Sequence, residues 1–223
     1  MILDRLELIK EEFEATSVSP EQYDEMLADA WRHFGKHFFR YNFGIYEEEI
    51  RRVIPLRIRL ADFILSKSQR RVFRRNDDLD VTIGAYNITR ETHDLFERHK
   101  RRFKSGVPNS IYDFIANNRA SSPTELLEIT ARKHGNLVAA SFFDLASRSV
   151  SAIYGCFDPD ETSRSLGIFT MLKVMEYARE FGLKFYYHGY AYEGSSFYDY
   201  KKRFLGLEQY DWRGSWSEFE QIG

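Results

Sequence analysis

The order of patterns between Glu125 and Phe204 constrains this chain more than any other feature of it. Three strand patterns come first, Glu125–Arg132, Leu137–Leu145 and Ser149–Cys156. The turns between them, His134-Gly135-Asn136 and Ser147-Arg148, are short enough to make the strands antiparallel neighbours. A stretch rich in Asp, Pro and Ser follows, then the step Arg164-Ser165-Leu166-Gly167. The amphipathic helix after it is carried by Ile168, Leu172, Met175, Tyr177 and Ala178, and Gly182 stops it. The apolar run Phe185-Tyr186-Tyr187 is thus reached by a helical crossover, which makes it a parallel strand. His188-Gly189 breaks that run ahead of a Tyr- and Lys-rich segment. The layout is α/β (α+β), a mixed sheet flanked by helices. Backbone donors near Gly167 and converging Tyr, His and Lys side chains suit the floor of an active site. An ordinary crossover with a solvated loop fits the same periodicity.

Upstream, residues 1–16 read as a strand or short helix. Ser19 caps a helix that has Pro20 in its first turn and Tyr23, Met26, Leu27 and Ala30 on one side, and Gly35 ends it. Phe38, Phe39 and Tyr41 are extended, and Asn42-Phe43-Gly44 turns. From Ile50 to Phe63, Arg57 and Arg59 alternate with Leu56, Ile58 and Leu60, the period of a half-buried strand. Ser66 or Ser68 caps a short basic helix or turn, residues 79–86 form another strand, and Thr89 caps a further helix. Gly106–Ser110 breaks it before a helix from about Ile111 to Asn117. Ala120-Ser121-Ser122-Pro123 reads as a linker, and Leu207–Trp216 as a closing strand. The expected organisation is an N-terminal segment, 1–49, packed on a catalytic domain, 50–223, with a helical insert at about 89–120.

Composition narrows the partners. The net charge of −2 gives no global pull on nucleic acid, but the cations are clustered. Lys67, Arg70, Arg71, Arg74 and Arg75 put five cations into nine residues without an acid, and His99-Lys100-Arg101-Arg102-Phe103-Lys104 is a second basic run. With 14 Tyr and 19 Phe there are aromatics to spare for stacking a base or a polar ligand. One cysteine, Cys156, excludes an intramolecular disulfide and a cysteine cluster within the chain, and reads as a buried inert thiol. Early acidic residues argue against a signal peptide, and no run of 18 apolar residues is present to span a membrane. A cytoplasmic protein that does not engage membranes is expected; the sequence is silent on oligomeric state.

Four stretches resemble one family. They are Tyr23 through Trp31-Arg32-His33-Phe34-Gly35 to Tyr41; Pro55-Leu56-Arg57 with Ser66-Lys67-Ser68-Gln69-Arg70-Arg71 and Asn76; Ser110-Ile111-Tyr112-Asp113-Phe114; and Tyr154 through Arg164-Ser165-Leu166-Gly167 to His188-Gly189-Tyr190, Tyr200-Lys201 and Phe204. The element order is similar to the GCN5-related N-acetyltransferase fold. These motifs look like the aminoacyl-tRNA–protein transferases, the arginyl- and leucyl-transferases. The resemblance implies transfer of an amino acid, arginine favoured and leucine possible, from charged tRNA to the N-terminal α-amine of a protein or peptide with an acidic first residue. It implies no cofactor beyond aminoacyl-tRNA as co-substrate. Family members usually carry several cysteines just before the Pro-x-Arg strand; the corresponding text, residues 42–54, has none, so no metal or iron–sulfur site is expected. That departure leaves open a specialised peptide or small-molecule acceptor. An acetyl-CoA-dependent N-acetyltransferase and a non-catalytic RNA-binding regulator remain as alternatives.

The donor in such a reaction is an activated ester, so the protein must position the partners, take a proton from the attacking amine and steady the developing oxyanion. Tyr187, His188 and Tyr190, at the carboxyl end of a parallel strand, and Glu193 are the candidates near the chemistry. Regular alternation puts Tyr186, His188 and Tyr190 on one side. His188 is an accessory proton acceptor, Glu193 holds the acceptor ammonium, and Tyr190, Tyr200 and Lys201 shape a pocket for the terminal adenosine. Ser66, Lys67, Ser68, Gln69, Arg70 and Arg71 are expected to bind tRNA, with Lys67, Arg70 and Arg71 on its phosphates. Arg164 reaches the terminal phosphate, Ser165 belongs to the same binding turn, the amides at Leu166–Gly167 meet the oxyanion, and Arg57 reads the acidic acceptor. For each arginine a solvated surface position is the competing assignment.

Overall fold

A computed structural model describes residues 7–103 and 106–220. Residues 1–6 of the expected first element, and Lys104 of the second basic run, lie outside it.

The described residues build two sheets. The smaller joins β1 (Lys10–Glu14), β2 (Arg32–Phe34) and β3 (His37–Tyr41) in the order β1-β3-β2, with α1 (Pro20–Ala28) beside it. Ser19 caps α1 in a reciprocal box with Gln22, as its sequence dictates. The helix stops at Ala28, not at Gly35: Ala30 adopts a left-handed φ of 64° and turns the chain into β2. Gly35, at φ 54°, makes the β2–β3 turn instead. Nor do Asn42-Phe43-Gly44 turn. β4 (Phe43–Tyr46) pairs with β5 (Glu49–Arg59), and the reversal falls at Glu47-Glu48, both left-handed at φ 49° and 67°. That hairpin straddles the expected division at 49/50.

The larger sheet continues through α2 (Lys67–Arg75), β6 (Asp80–Ala85), α3 (Arg90–Lys100), β7 (Glu125–Lys133), β8 (Asn136–Leu145), β9 (Ser149–Phe157), α4 (Leu166–Glu180), β10 (Phe185–Tyr192), β11 (Leu207–Tyr210) and β12 (Trp216–Glu218). Its order is β12-β11-β5-β10-β9-β8-β7-β6, with β4 beside β5. The β9–β10 pair is parallel and the other pairs are antiparallel, so the acetyltransferase-like mixed sheet read from the sequence is the one formed. Ser66 caps α2 and Thr89 caps α3. The expected helix at 111–117 is a single 3₁₀ turn, Ile111–Asp113. Ile111 and Ile115 are buried and Phe114 stacks on Tyr154 at 4.0 Å, so side-chain docking fixes this segment in place of a helical repeat.

Two layers cover the sheet. On one face α4 and α2 bury Leu172, Val174 and Met175 against Ile58, Ile129, Phe143, Val150 and Tyr186. Each such side chain contributes about 1.5–3 kcal/mol of burial energy. On the other face lie α3, with Leu95 and Phe96, and the N-terminal unit, with Tyr23, Leu27 and Phe38 on Ala146 and Tyr187.

One irregularity organises the site. Along β5, Tyr187 is opposite Arg57 and Gly189 is opposite Leu56, so His188 is a bulged extra residue. An inserted residue exchanges the faces of everything downstream in a period-2 strand. The His188 ring lies with Tyr186 at 4.9 Å and Phe204 at 4.7 Å, while Tyr190 joins Tyr187 on the side of the N-terminal unit. The regular alternation expected for Tyr186, His188 and Tyr190 is therefore overturned.

Candidate active site at the parting of two parallel strands

β9 and β10 are registered only over Ser149–Ser151 and Phe185–Tyr187, although β9 runs on to Phe157 and β10 to Tyr192. Past Tyr187 the strands part, leaving a gap at their carboxyl ends, the place where open α/β sheets bind ligands. Arg32 enters it from β2. Its Nη1–H donates to Ser151 Oγ at 2.6 Å and its Nη2–H donates to the Ala152 carbonyl. Gly189, at φ 86°, takes a left-handed backbone and lies against the Arg32 guanidinium, which a Cβ there would touch at 3.5 Å, an ordinary contact. Lys201, in the 3₁₀ segment Phe197–Lys202, reaches back so that its ammonium donates to the Tyr190 carbonyl at 2.8 Å and lies 5.0 Å over the Tyr198 ring.

The electrostatics of the gap are one-sided. Burial, and then the Arg32 guanidinium, lower Lys201 from 10.5 to about 7. Burial, followed by Lys201 and Arg32, holds His188 well below the ordinary histidine range. His188 is 3% exposed and neither ring nitrogen has a hydrogen-bond partner. It is therefore neutral at physiological pH and too weakly basic for the expected proton acceptor; Lys201 is the group whose range suits that task.

Arg32 is held from beneath by a buried network. Tyr23 Oη donates to Asp144 Oδ2 at 2.8 Å and lies 3.2 Å from Ser151 Oγ. Asp144 Oδ2 also pairs with His33 Nε2 at 2.7 Å, and its Oδ1 accepts from Thr124 Oγ1 at 2.7 Å. These contacts lock the N-terminal unit to β8 and β9 and place Arg32 at the gap.

Two family descriptions match the chain. "Arginine-tRNA-protein transferase, C terminus" covers residues 91–211, and the corresponding N-terminus covers residues 4–71. The chain belongs to this transferase family. It is similar to proteins named aspartate/glutamate leucyltransferase: 33% identical to one from Stenotrophomonas maltophilia over 75% of this chain and 69% of the relative. Against one from Leptospira interrogans the identity is 32%, over 67% of this chain and 60% of the relative. A solved structure of FemX shares the fold, with a TM-score of 0.53 and 11% identity over 91% of this chain and 71% of that one.

In this transferase the site residues expected from sequence divide into those at the gap and those committed elsewhere. His188 and Lys201 are at the gap, and Tyr200 stands beside Lys201, its hydroxyl pushed up to about 12 by burial and then by Tyr198. Tyr190 borders the gap through its carbonyl, but its hydroxyl donates to the Ala30 carbonyl at 2.7 Å. Tyr187 accepts from Arg57 Nη1 at 3.3 Å and packs against Trp216, facing away. Glu193 is exposed beyond the end of β10.

Arg57 is not free to read an acceptor. Its Nε–H donates to Glu208 at 2.7 Å, and its guanidinium is sandwiched between Phe185 at 4.0 Å and Trp216 at 4.2 Å. Arg164 is likewise committed: it grips Asp78 bidentately at 2.7 and 3.0 Å and Glu161 at 2.8 Å, fastening α2 to the start of α4. Ser165 is left-handed at φ 55°, Leu166 is buried, and Gly167 is shaped by a ring, since a Cβ there would meet Phe157 at 3.0 Å. This turn is not brought to the gap by any contact with Arg32 or Lys201 among the described residues.

In α2, Ser66 and Gln69 form the capping box, and Ser68 Oγ lies 2.9 Å from Ser66 Oγ. Lys67, Arg70, Arg71 and Arg74 are exposed, with no carboxylate within ion-pair distance among the described residues. They recur at helical spacing and make a basic stripe. Cys156 is buried, its thiol pushed up to about 12 by burial. No helix among the described residues is long and apolar enough to cross a membrane. Sequence reading missed the roles of Arg32, Asp144, Ser151 and Tyr23. The only signal for them was the Trp31-Arg32 to Gly35 step, which marks Arg32 without saying what it meets.

Proposed function

We propose that this transferase moves an amino acid from the 3′ end of a charged tRNA to the α-amine of a protein or peptide with an acidic first residue, and that the amino acid is leucine. The names of the relatives support leucine over the arginine favoured from motifs, and they support aspartate and glutamate as acceptors. The observation that carries the reading is a lysine at about 7 set where two parallel strands part.

In this reading the acceptor amine attacks the ester carbonyl of the aminoacyl-tRNA. The new C–N bond forms, the amine's proton passes to neutral Lys201, and the C–O bond to the terminal ribose breaks. Lys201 then returns the proton to the departing ribose oxygen. The stripe Lys67, Arg70, Arg71 and Arg74 takes phosphates of the tRNA backbone, since exposed unpaired cations release counterions when they meet a polyanion. The test is to incubate the protein with tRNA charged with labelled leucine or labelled arginine and peptides beginning with Asp, Glu, Lys and Ala. Label from leucyl-tRNA on the Asp and Glu peptides is expected. No transfer from any charged tRNA, with acetyl transfer from acetyl-CoA in its place, would sink the reading.

A further inference from the structure

Arg32 is enclosed and lacks what the other enclosed arginines have. Arg40, Arg57 and Arg164, with side chains 19%, 12% and 14% exposed, each hold at least one carboxylate. Arg32 is 8% exposed and holds a hydroxyl and a carbonyl, and its Nε–H has no acceptor among the described residues. The nearest carboxylate in its network, Asp144, is taken up by Tyr23, His33 and Thr124 and is linked to Arg32 only through Tyr23 and then Ser151. Lys201, bonded to a carbonyl, adds a second basic group without a carboxylate, and beside both stands the unpartnered His188 ring. Arg32 thus has no carboxylate in direct contact, and its Nε–H edge is left for an anion from outside the chain.

We propose that Arg32 is the specificity-determining residue that binds the side-chain carboxylate of the acceptor's first residue. This rests on the transfer reaction proposed above. Arg32 lies against Gly189 and Lys201 bonds the adjacent Tyr190, so an acceptor whose α-amine faces Lys201 brings a short acidic side chain to the guanidinium. The unused Nε–H, with a second N–H of the same edge, fits a carboxylate bidentately. The network from Asp144 through Tyr23 and Ser151 fixes the fork in that orientation. An amide in place of the carboxylate leaves the buried guanidinium without a counter-charge.

The experiment compares peptides beginning with Asp, Asn, Glu and Gln in two assays: binding without tRNA, by anisotropy of labelled peptides, and transfer from charged tRNA. The wild-type protein is expected to favour Asp over Asn about 10- to 100-fold in both. Arg32→Gln should bring that ratio near unity in the binding assay, and Arg32→Lys should restore part of it. Ser151→Ala, which frees the guanidinium without removing its charge, should narrow the ratio and serves if Arg32→Gln does not fold. An Asp-over-Asn ratio unchanged in a folded Arg32→Gln, or in Ser151→Ala where that protein does not fold, overturns the proposal. Arg32-dependent binding of the Asp peptide with no transfer from any charged tRNA would uphold the carboxylate site and reject the reaction. Transfer without Asp-over-Asn discrimination would do the reverse.

Discussion

Two arginines on the same side of the sheet make opposite bargains. At the β5–β11 edge, Arg57 is balanced by Glu208, which also takes Arg59, and aromatic rings close over it. At the parting of β9 and β10, Arg32 is as enclosed but has neutral partners, with Lys201 and His188 beside it. The first arrangement is complete in the protein alone and serves architecture. The second leaves an arginine without a carboxylate in direct contact, open to an anion from outside the chain. Burial and residue type are alike in the two places, and the presence of a counter-charge separates a scaffold from a binding site.

The largest expected effect tests the gap. Lys201→Met should lower transfer by at least about 100-fold, the ordinary contribution of general-base catalysis, with the urea midpoint little changed. In the wild-type enzyme kcat/KM should rise with pH through about 7, because Lys201 is protonated and unable to accept a proton below that point and neutral above it. Lys201 and His188 share the gap with Arg32, Tyr186 and Tyr200. An acid limb unmoved by changes at Lys201 would remove it as the base.

The balanced arginine should behave otherwise. Glu208→Gln leaves Arg57 buried without its carboxylate and should destabilise the fold by about 3 kcal/mol, measured by urea unfolding. The Asp-over-Asn preference should stay as it was; a changed preference would mean that the β5–β11 edge also reads the acceptor.

The smallest effect concerns cations that are neither buried nor balanced. Each of Lys67→Gln, Arg71→Gln and Arg74→Gln should weaken tRNA binding and reduce the slope of log affinity against log salt by about 1, without altering acceptor preference. A slope unchanged in the triple variant would take α2 out of the tRNA interface.

Much of the architecture was legible because it is written in local patterns. The β7–β8–β9 ladder followed from alternation and two tight turns, and the α1 and α3 starts followed from Ser19 and Thr89, while for α2 the structure chose Ser66 over Ser68. The end of α1 and the 111–117 segment were misjudged because a left-handed Ala30 and a docked Phe114 override helical propensity through tertiary contacts. At the site, sequence pointed to Lys201 and His188 but not to the shifts of either group, since the environment that shifts them comes from other elements.

By itself, then, the sequence determined the order of strands and helices, the single parallel crossover, the helix caps and the basic stripe of α2, because each depends on residues within a few positions of one another. Only the tertiary structure decided which charges are spoken for. Arg57 meets Glu208 and Arg164 meets Asp78 across 151 and 86 residues of chain, and no local pattern records such a pairing. The same holds for the bulge at His188, whose effect on which face Tyr190 occupies exists only against the register of β5. Arg32 became the interesting arginine because, once the chain is folded, the long-range contact it makes is with Ser151 and Ala152 and not with an acid.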